Sequence, residues 1–396
     1  MLATQHANRR GFMKMLAASP LLAQIAAQGL YEKSAAAFGL DLRGNVYSRL
    51  GVKTVINCRG TWTYLSGSLQ FPEVQQAQAE ASRHFVNMVD LHHAVGERLA
   101  ELTGAESGLI TSGAAGAMAA ATAACMAGSD PKKIWQLPDT TGLKHEVIMV
   151  GGRSAFDNAI RLAGAKLVLV EKPDDIASAI TGNTAMIYTT DLGDKLAREA
   201  AIAKDYNVPL LLDDAAGIPP IDNIKLYAKM KLDLYTFSGG KGLRGPQCSG
   251  VLLGRKDLIE AALRNSCPFE GAVCRPMKVG KEEVIGTHTE IYIPDDGNRY
   301  PTLRITWDQE AWGFNVAECA KKLHEGDPVI EVLSIDNPSM VPAVQEGTDK
   351  PKPNPKEPKK QNHIELVSMT IQPGEEMIVG RRLRTILSAA RQGKPA

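Results

Sequence analysis

The sequence predicts an α/β protein. A mostly parallel central sheet with helices on both faces is followed by a smaller C-terminal α+β domain. Short apolar runs recur at 147–150, 167–170, 185–188, 210–212, 234–237 and 251–253. Helical stretches near 156–163, 174–180, 195–206, 223–230 and 256–264 are interspersed with them. The runs are continuous rather than alternating, so each strand is buried on both faces. That rhythm gives a parallel sheet covered by helices. Right-handed crossovers then gather ligand-binding groups at the carboxyl ends of the strands. Composition agrees, since 44% hydrophobic and 22% charged residues over 396 positions describe a folded chain. At roughly 150 residues per domain, two or three domains are expected.

Residues 1–40 stand apart. Arg9-Arg10, Phe12, Lys14 and a mild apolar stretch over 15–23 resemble a twin-arginine export signal, with Ala35-Ala36-Ala37 as a cleavage site. This reading predicts a periplasmic or exported protein. A short basic amphipathic helix in a cytoplasmic protein is the alternative. The large domain is expected over 41–270 and the small one over 271–396. Phe71-Pro72-Glu73 starts a helix, with proline in its first turn. Leu91, Val95, Leu99 and Leu102 recur on one helical face. His92-His93 in that stretch lacks metal-ligand spacing and reads as a helix-surface or interface feature. Residues 111–116 open an alanine-rich helix reaching about 126. Residues 347–362 hold five lysines and four prolines, a solvated extended loop. Residues 364–367 then read as a strand. Val379, Leu383, Ile386, Leu387 and Ala390 mark a closing helix.

Forty-five basic against 44 acidic residues leave a formal charge of +1, which argues against a bulk nucleic-acid binder. The six cysteines, at 58, 125, 248, 267, 274 and 319, form no CxxC pair, so neither a disulfide scaffold nor a zinc site is expected. No apolar run reaches the 18 or so residues of a spanning helix.

Three features carry chemistry. Thr111-Ser112-Gly113-Ala114-Ala115-Gly116 stands at a helix start, where small residues and the helix dipole favour a phosphate. Tight helix packing alone explains such a turn equally well. Leu210-Leu211-Leu212-Asp213-Asp214 is a buried strand ending in carboxylates, at the edge where functional groups gather. In Ser238-Gly239-Gly240-Lys241-Gly242 a lysine follows a buried strand within a glycine-dense turn that allows close backbone approach. The Walker pattern is not met, because Gly242 rather than Ser or Thr follows the lysine. An anion cradle, a carboxylate and an amine are together what pyridoxal 5′-phosphate (PLP) requires. They are its phosphate site, the partner of its pyridine nitrogen and its Schiff-base lysine.

These residues resemble fold-type-I PLP enzymes of the aminotransferase class V group. Ser238-Gly239-Gly240-Lys241 with Gly245-Pro246 is similar to the lysine loop of cysteine desulfurases, with Gly240 in place of a histidine. The chain more closely resembles selenocysteine synthase (L-seryl-tRNA(Sec) selenium transferase) and its relatives, including glucosaminate-6-phosphate ammonia-lyase. This resemblance rests on Val55-Ile56-Asn57 with Gly60-Thr61, on Glu101 to Glu106, on Thr111 to Ala115, on Gly245-Pro246-Gln247 and on Arg275 to Glu283. It covers about 50–290.

The resemblance implies that Lys241 forms the Schiff base and that Asp213 holds the pyridine nitrogen, with Asp214 as fallback. Ser112, Gly113, Ala114 and Ser238 would contact the phosphate. Asn57, Thr61, Arg275 and Lys281 would bind substrate, with Lys278 beside them. Arg153 or Phe156 would lie over the cofactor ring, and Thr287 would reach a neighbouring subunit's phosphate. The implied protein is a homodimer or larger ring acting on a small amino acid or amino-sugar acid. Its reaction would be α-proton abstraction with β-elimination or β-replacement. Racemisation and transamination need the same groups, and a non-catalytic binder could also retain them. The charge of +1 and the export-like segment, in place of a tRNA-recognising module, argue against tRNA as a partner.

Overall fold

The computed structural model describes residues 45–288, 302–332 and 363–392. The export-like segment and the Lys/Pro-rich loop lie outside the described residues. Seven strands form the main sheet: β2 (Ser107–Thr111), β3 (Glu146–Val150), β4 (Lys166–Val170), β5 (Thr184–Thr189), β6 (Leu210–Asp213), β7 (Leu234–Ser238) and β8 (Gly250–Gly254). A shorter strand, β1 (Val55–Asn57), precedes them. The sheet order is β2-β8-β7-β6-β5-β3-β4, and only β8 runs against its neighbours. Each predicted apolar run is a strand of this sheet. The fold is therefore the mostly parallel α/β architecture expected.

Strand alternation divides the core. Leu109, Met149, Tyr188, Leu211, Leu234 and Leu252 point to one face; Ile110, Ile148, Ile187, Leu212, Tyr235 and Val251 point to the other. The helices that matter for these faces are α1 (Pro72–Ala81), α2 (Met88–Thr103), α3 (Gly113–Ala127), α4 (Asp222–Lys229) and α5 (Lys256–Arg264). Helix α3 is apolar nearly all round, the pattern of a buried helix. It packs on the sheet and on α5. We call its side the α3 face. The opposite face takes Val95 and Leu99 of α2 and Ile224 and Tyr227 of α4. Burying each large apolar side chain contributes about 1.5–3 kcal/mol.

Helix α2 is capped by the Asn87 side chain, which accepts from the Val89 and Asp90 amides, and it ends at Gly104 with φ of 81°. Its buried face is His92, Val95, Gly96, Leu99 and Thr103, and Leu91 and Leu102 are half-buried. His92 therefore departs from the expected surface position: it is 2% exposed. Its place one residue after Leu91 turns it inward on the helical wheel. His93 is exposed and pairs with Glu260.

A third core is built from Ile56 and Cys58 with the C-terminal segments. These are α6 (Lys281–His288), β9 (Thr302–Thr306), α7 (Val316–His324), β10 (Val329–Glu331), β11 (His363–Val367) and α8 (Glu375–Arg391), of which α6 packs on α1 rather than in this core. Strand β1 pairs in parallel with β10, and β9 pairs antiparallel with β11. Residues 55–58 thus belong with the C-terminal core, a departure from the unbroken 41–270 domain expected. The reason is hydrogen bonding: a three-residue strand needs a partner ladder, and β10 supplies it.

Candidate active site

The chemistry-bearing segments meet at the carboxyl edge of the sheet. Gly250, first residue of β8, is paired with Thr111 on one side and Ser238 on the other. A Cβ on Gly250 would stand 2.3 Å from the Gly113 carbonyl carbon, so its lack of a side chain lets the start of α3 pack against β8 next to Ser238. On β6, Leu211 faces α3 and Leu212 faces away, so Asp213 returns to the α3 face and Asp214 turns from it. Thr236 and Ser238 share the α3 face of β7, and Thr236 is the register partner of Asp213. Asp213, Thr236, Ser238 and the 112–114 turn therefore line one face at one edge.

Asp213 is a half-buried carboxylate. Its Oδ2 accepts from the Tyr188 hydroxyl at 2.9 Å and its Oδ1 from the Ala215 amide at 3.2 Å. Burial raises its pKa; Tyr188, the Ala215 amide and the Lys241 charge oppose that rise. Burial lowers the Lys241 pKa against the pull of Asp213 and Asp214, which favours a neutral amine. Asp214 is 9% exposed, accepts from the Tyr227 hydroxyl at 2.7 Å and is covered by Gly217, where a Cβ would lie 1.7 Å from Oδ2.

The lysine loop is held from outside by residues 63–71. The Ser68 amide and hydroxyl both donate to the Gly240 carbonyl, at 2.9 and 3.0 Å. Gln247 Nε2 donates to the Thr63 carbonyl and Arg244 Nε to the Leu69 carbonyl, each at 2.9 Å. The Arg244 guanidinium also lies 4.2 Å from the Phe71 ring centroid. Gly239 and Gly240 pack directly on Ser249 and Gln247. The backbone on either side of Lys241 is thus fixed by contacts distant in sequence.

The other predicted residues fall as follows. Asn57 Nδ2 donates to the Gly60 carbonyl and Oδ1 accepts from the Arg59 amide, so this amide shapes the 57–60 turn, and Thr61 is half-buried beside it. Arg275, Lys278 and Lys281 line a cleft of about 380 Å³ with Phe85 and Val86, and Lys281 is ion-paired with Glu282. Cys267 and Val279 line both this cleft and a small void that touches Ser112. The Arg153 guanidinium is gripped by Asp157, which also takes Arg161, while Phe156 is exposed. The Thr287 hydroxyl donates to the Glu283 carbonyl within its helix, and the residue packs near Gly245 of its own chain. Tyr188, Thr236, Ser68 and Gly250 were not foreseen. Strand parity, counted from Leu234, is the signal that finds Thr236, whereas Tyr188 is placed by the register of β5 against β6.

These residues fit PLP. The Thr236 hydroxyl is fully buried beside Asp213 with no hydrogen-bond partner among the described residues, the kind of orphan that a bound polar group satisfies. No cluster of His, Cys, Asp and Glu able to hold a metal occurs among the described residues. Fold and site together define a PLP-dependent enzyme of fold type I.

Comparison with known proteins agrees. The chain is 35% identical over 259 residues to 5'-C-glycyluridine monooxygenase-decarboxylase of Streptomyces sp., covering 61% of this chain and 63% of that protein. It is 32% identical over 259 residues to D-glucosaminate-6-phosphate ammonia lyase of Salmonella typhimurium, covering 61% and 68%. L-seryl-tRNA(Sec) selenium transferase of Mannheimia succiniciproducens is 27% identical over 246 residues, covering 53% and 50%. The matched segment thus spans between half and about two thirds of these relatives. The solved structure of D-glucosaminate-6-phosphate ammonia-lyase superposes with a TM-score of 0.72 at 25% identity, covering 88% of this chain and all of that one. A structure of SPT with PLP shares the fold at a TM-score of 0.52 and 12% identity, covering 94% and 99%. No protein-family model matches the chain. The chain belongs to the fold-type-I PLP enzyme family that includes D-glucosaminate-6-phosphate ammonia lyase.

Proposed function

We propose that the protein is a PLP-dependent lyase acting on a small amino acid or amino-sugar acid, by loss of the α-proton and elimination of a β-group. One observation carries the reading: Lys241, with its amine pKa lowered by burial, lies at the same carboxyl edge of the sheet as Asp213, near enough for their charges to interact. Bound PLP supplies an electron sink for the substrate's α-carbon. Asp213 would hold the proton on the pyridine nitrogen. Ser112, Gly113, Ala114 and Ser238 would hold the phosphate by hydroxyls and helix-start amides. Neutral Lys241 Nζ would take the α-proton. The β-group then leaves with its bonding pair, and water converts the released unsaturated amine to ammonia and a 2-keto acid. Arg275, Lys278 and Lys281 would receive an anionic group of the substrate.

The test is a screen of the PLP-loaded protein against D- and L-amino acids and amino-sugar acids, following ammonia, keto acid and α-deuterium exchange. Ammonia with keto acid, and no amino acceptor, supports the reading. Exchange without product supports racemisation, and product only with an acceptor supports transamination. The 35% identity to a monooxygenase-decarboxylase favours one second reading, oxidative decarboxylation. Oxygen uptake with release of carbon dioxide identifies it. A homo-oligomer and export through the N-terminal segment belong to the same proposal; sedimentation and periplasmic fractionation test them.

A further inference from the structure

We propose that Tyr188 is a positioning residue that keeps Asp213 ionised and aimed at the cofactor's ring nitrogen. The inference rests on the reading of Asp213 given above and adds a residue to it. Tyr188 is 1% exposed, stands one residue from the end of β5, and donates its hydroxyl to Asp213 Oδ2 at 2.9 Å. The neighbouring strand places both side chains on the α3 face, since Tyr188 pairs with Leu211, two residues before Asp213.

A buried carboxylate drifts toward its neutral form, because burial penalises charge. A neutral Asp213 cannot hold a proton on a ring nitrogen by charge. The phenol opposes the drift by donating more strongly to the carboxylate than to the neutral acid. Burial and the neighbouring Asp213 charge raise the phenol's own pKa, so it stays a donor across the working range. The other titratable groups facing Asp213 are Lys241, which also favours the ionised form, and Asp214, whose charge repels that of Asp213 and which takes the Tyr227 hydroxyl. Ser154 and Asp157 face the Tyr188 hydroxyl, and Asp157 is neutralised by Arg153 and Arg161. Burial lowers the Lys241 pKa, which makes its charge the less constant support. Tyr188 on Oδ2, beside the Ala215 amide on Oδ1, is the side-chain donor that stays constant.

The experiment compares holoenzyme carrying Tyr188→Phe, or 3,5-difluorotyrosine installed at position 188, with the unaltered protein. Tyr227→Phe, which removes the matching hydroxyl on the opposite face, is the control. Two readouts are followed: the PLP dissociation constant, and the pH dependence of the absorbance of bound PLP. In Tyr188→Phe, PLP affinity falls about tenfold to a hundredfold, the range of a hydrogen bond to a charged group. The acid transition of the absorbance profile moves to higher pH. Difluorotyrosine preserves shape and is a stronger donor, so it moves that transition to lower pH; it also serves if the phenylalanine variant does not fold. Tyr227→Phe leaves the transition where it is. An unmoved transition in both 188 variants overturns the role of Tyr188. Asp213→Asn separates the two readings: if it binds PLP as the unaltered protein does, the assignment of Asp213 itself fails.

Discussion

The two faces of the main sheet each end in the same pair of groups, and only one pair belongs to the candidate site. On the α3 face Tyr188 donates to Asp213; on the opposite face Tyr227 donates to Asp214 at nearly the same distance. Asp213 shares its face with Ser238, the orphaned Thr236 hydroxyl and the glycine start of α3. Asp214 is sealed by Gly217, and Tyr227 packs edge-to-face on Tyr235 and parallel to Phe237. Identical chemistry thus stands at the candidate site on one side and in the core on the other. What separates them is strand alternation, not residue type.

The largest expected effects are on the site face. Lys241→Ala or Asp213→Ala should lower turnover by about 10²–10⁴-fold, the range for a positioned proton-transfer group, and Asp213→Ala also leaves the buried Tyr188 hydroxyl without its carboxylate acceptor, at a cost of about 1–3 kcal/mol. Asp214→Ala should spare turnover. It leaves the buried Tyr227 hydroxyl without its acceptor, costs about 1–3 kcal/mol of stability, and keeps most of the PLP binding. Denaturant titration and PLP titration of each variant check this; equal PLP loss in both Asp variants breaks the comparison.

The glycines sharpen it. Gly250→Ala forces a Cβ against the Gly113 backbone and should displace the start of α3, weakening PLP binding first. Gly217→Ala forces a Cβ onto the Asp214 carboxylate and should lower stability first, by the roughly 1–3 kcal/mol of an overpacked core. Calorimetry and cofactor titration on the same samples separate the two outcomes. Tyr227→Phe, which removes one hydroxyl and keeps the ring, should cost about 1 kcal/mol.

The smallest effect is the pH response of the opposite face. Burial lowers the pKa of His92 from 6.5 to about 4, so its neutral form supports the fold above 6.5, and that support is lost as pH falls toward 4. Burial raises the pKa of Glu199 from 4.5 to about 7, so its protonated form supports the fold below 4.5, and that support is lost as pH rises through 7. His92→Leu should flatten the acid side of the midpoint-against-pH curve, and Glu199→Gln the neutral side. Curves parallel to the unaltered protein's would remove both residues from the account.

Much of this was legible in the chain. Every continuous apolar run became a strand of the sheet, but the run at 167–170 forms the edge strand β4, which is not buried on both faces: Leu169 is 46% exposed. The positions of Ser112, Asp213 and Ser238 at the sheet edge were legible because each ends a strand or caps a helix, and that of Lys241 because it follows in the glycine turn. His92 was not, since one helical step separates a surface histidine from a buried one. Nor was the placement of 55–58, whose pairing partner lies some 270 residues away in β10. Ser68 offered no signal: its grip on the Gly240 carbonyl spans 172 positions.

By itself the sequence determined the strand-helix order, the lysine in its glycine turn and the doubled aspartate, because these follow from local pattern and chain continuity. The tertiary structure alone decided which tyrosine holds each aspartate, which face each pair takes and which distant serine steadies the lysine loop. Those choices depend on register and face. Both are set only when strands far apart in the chain lie side by side.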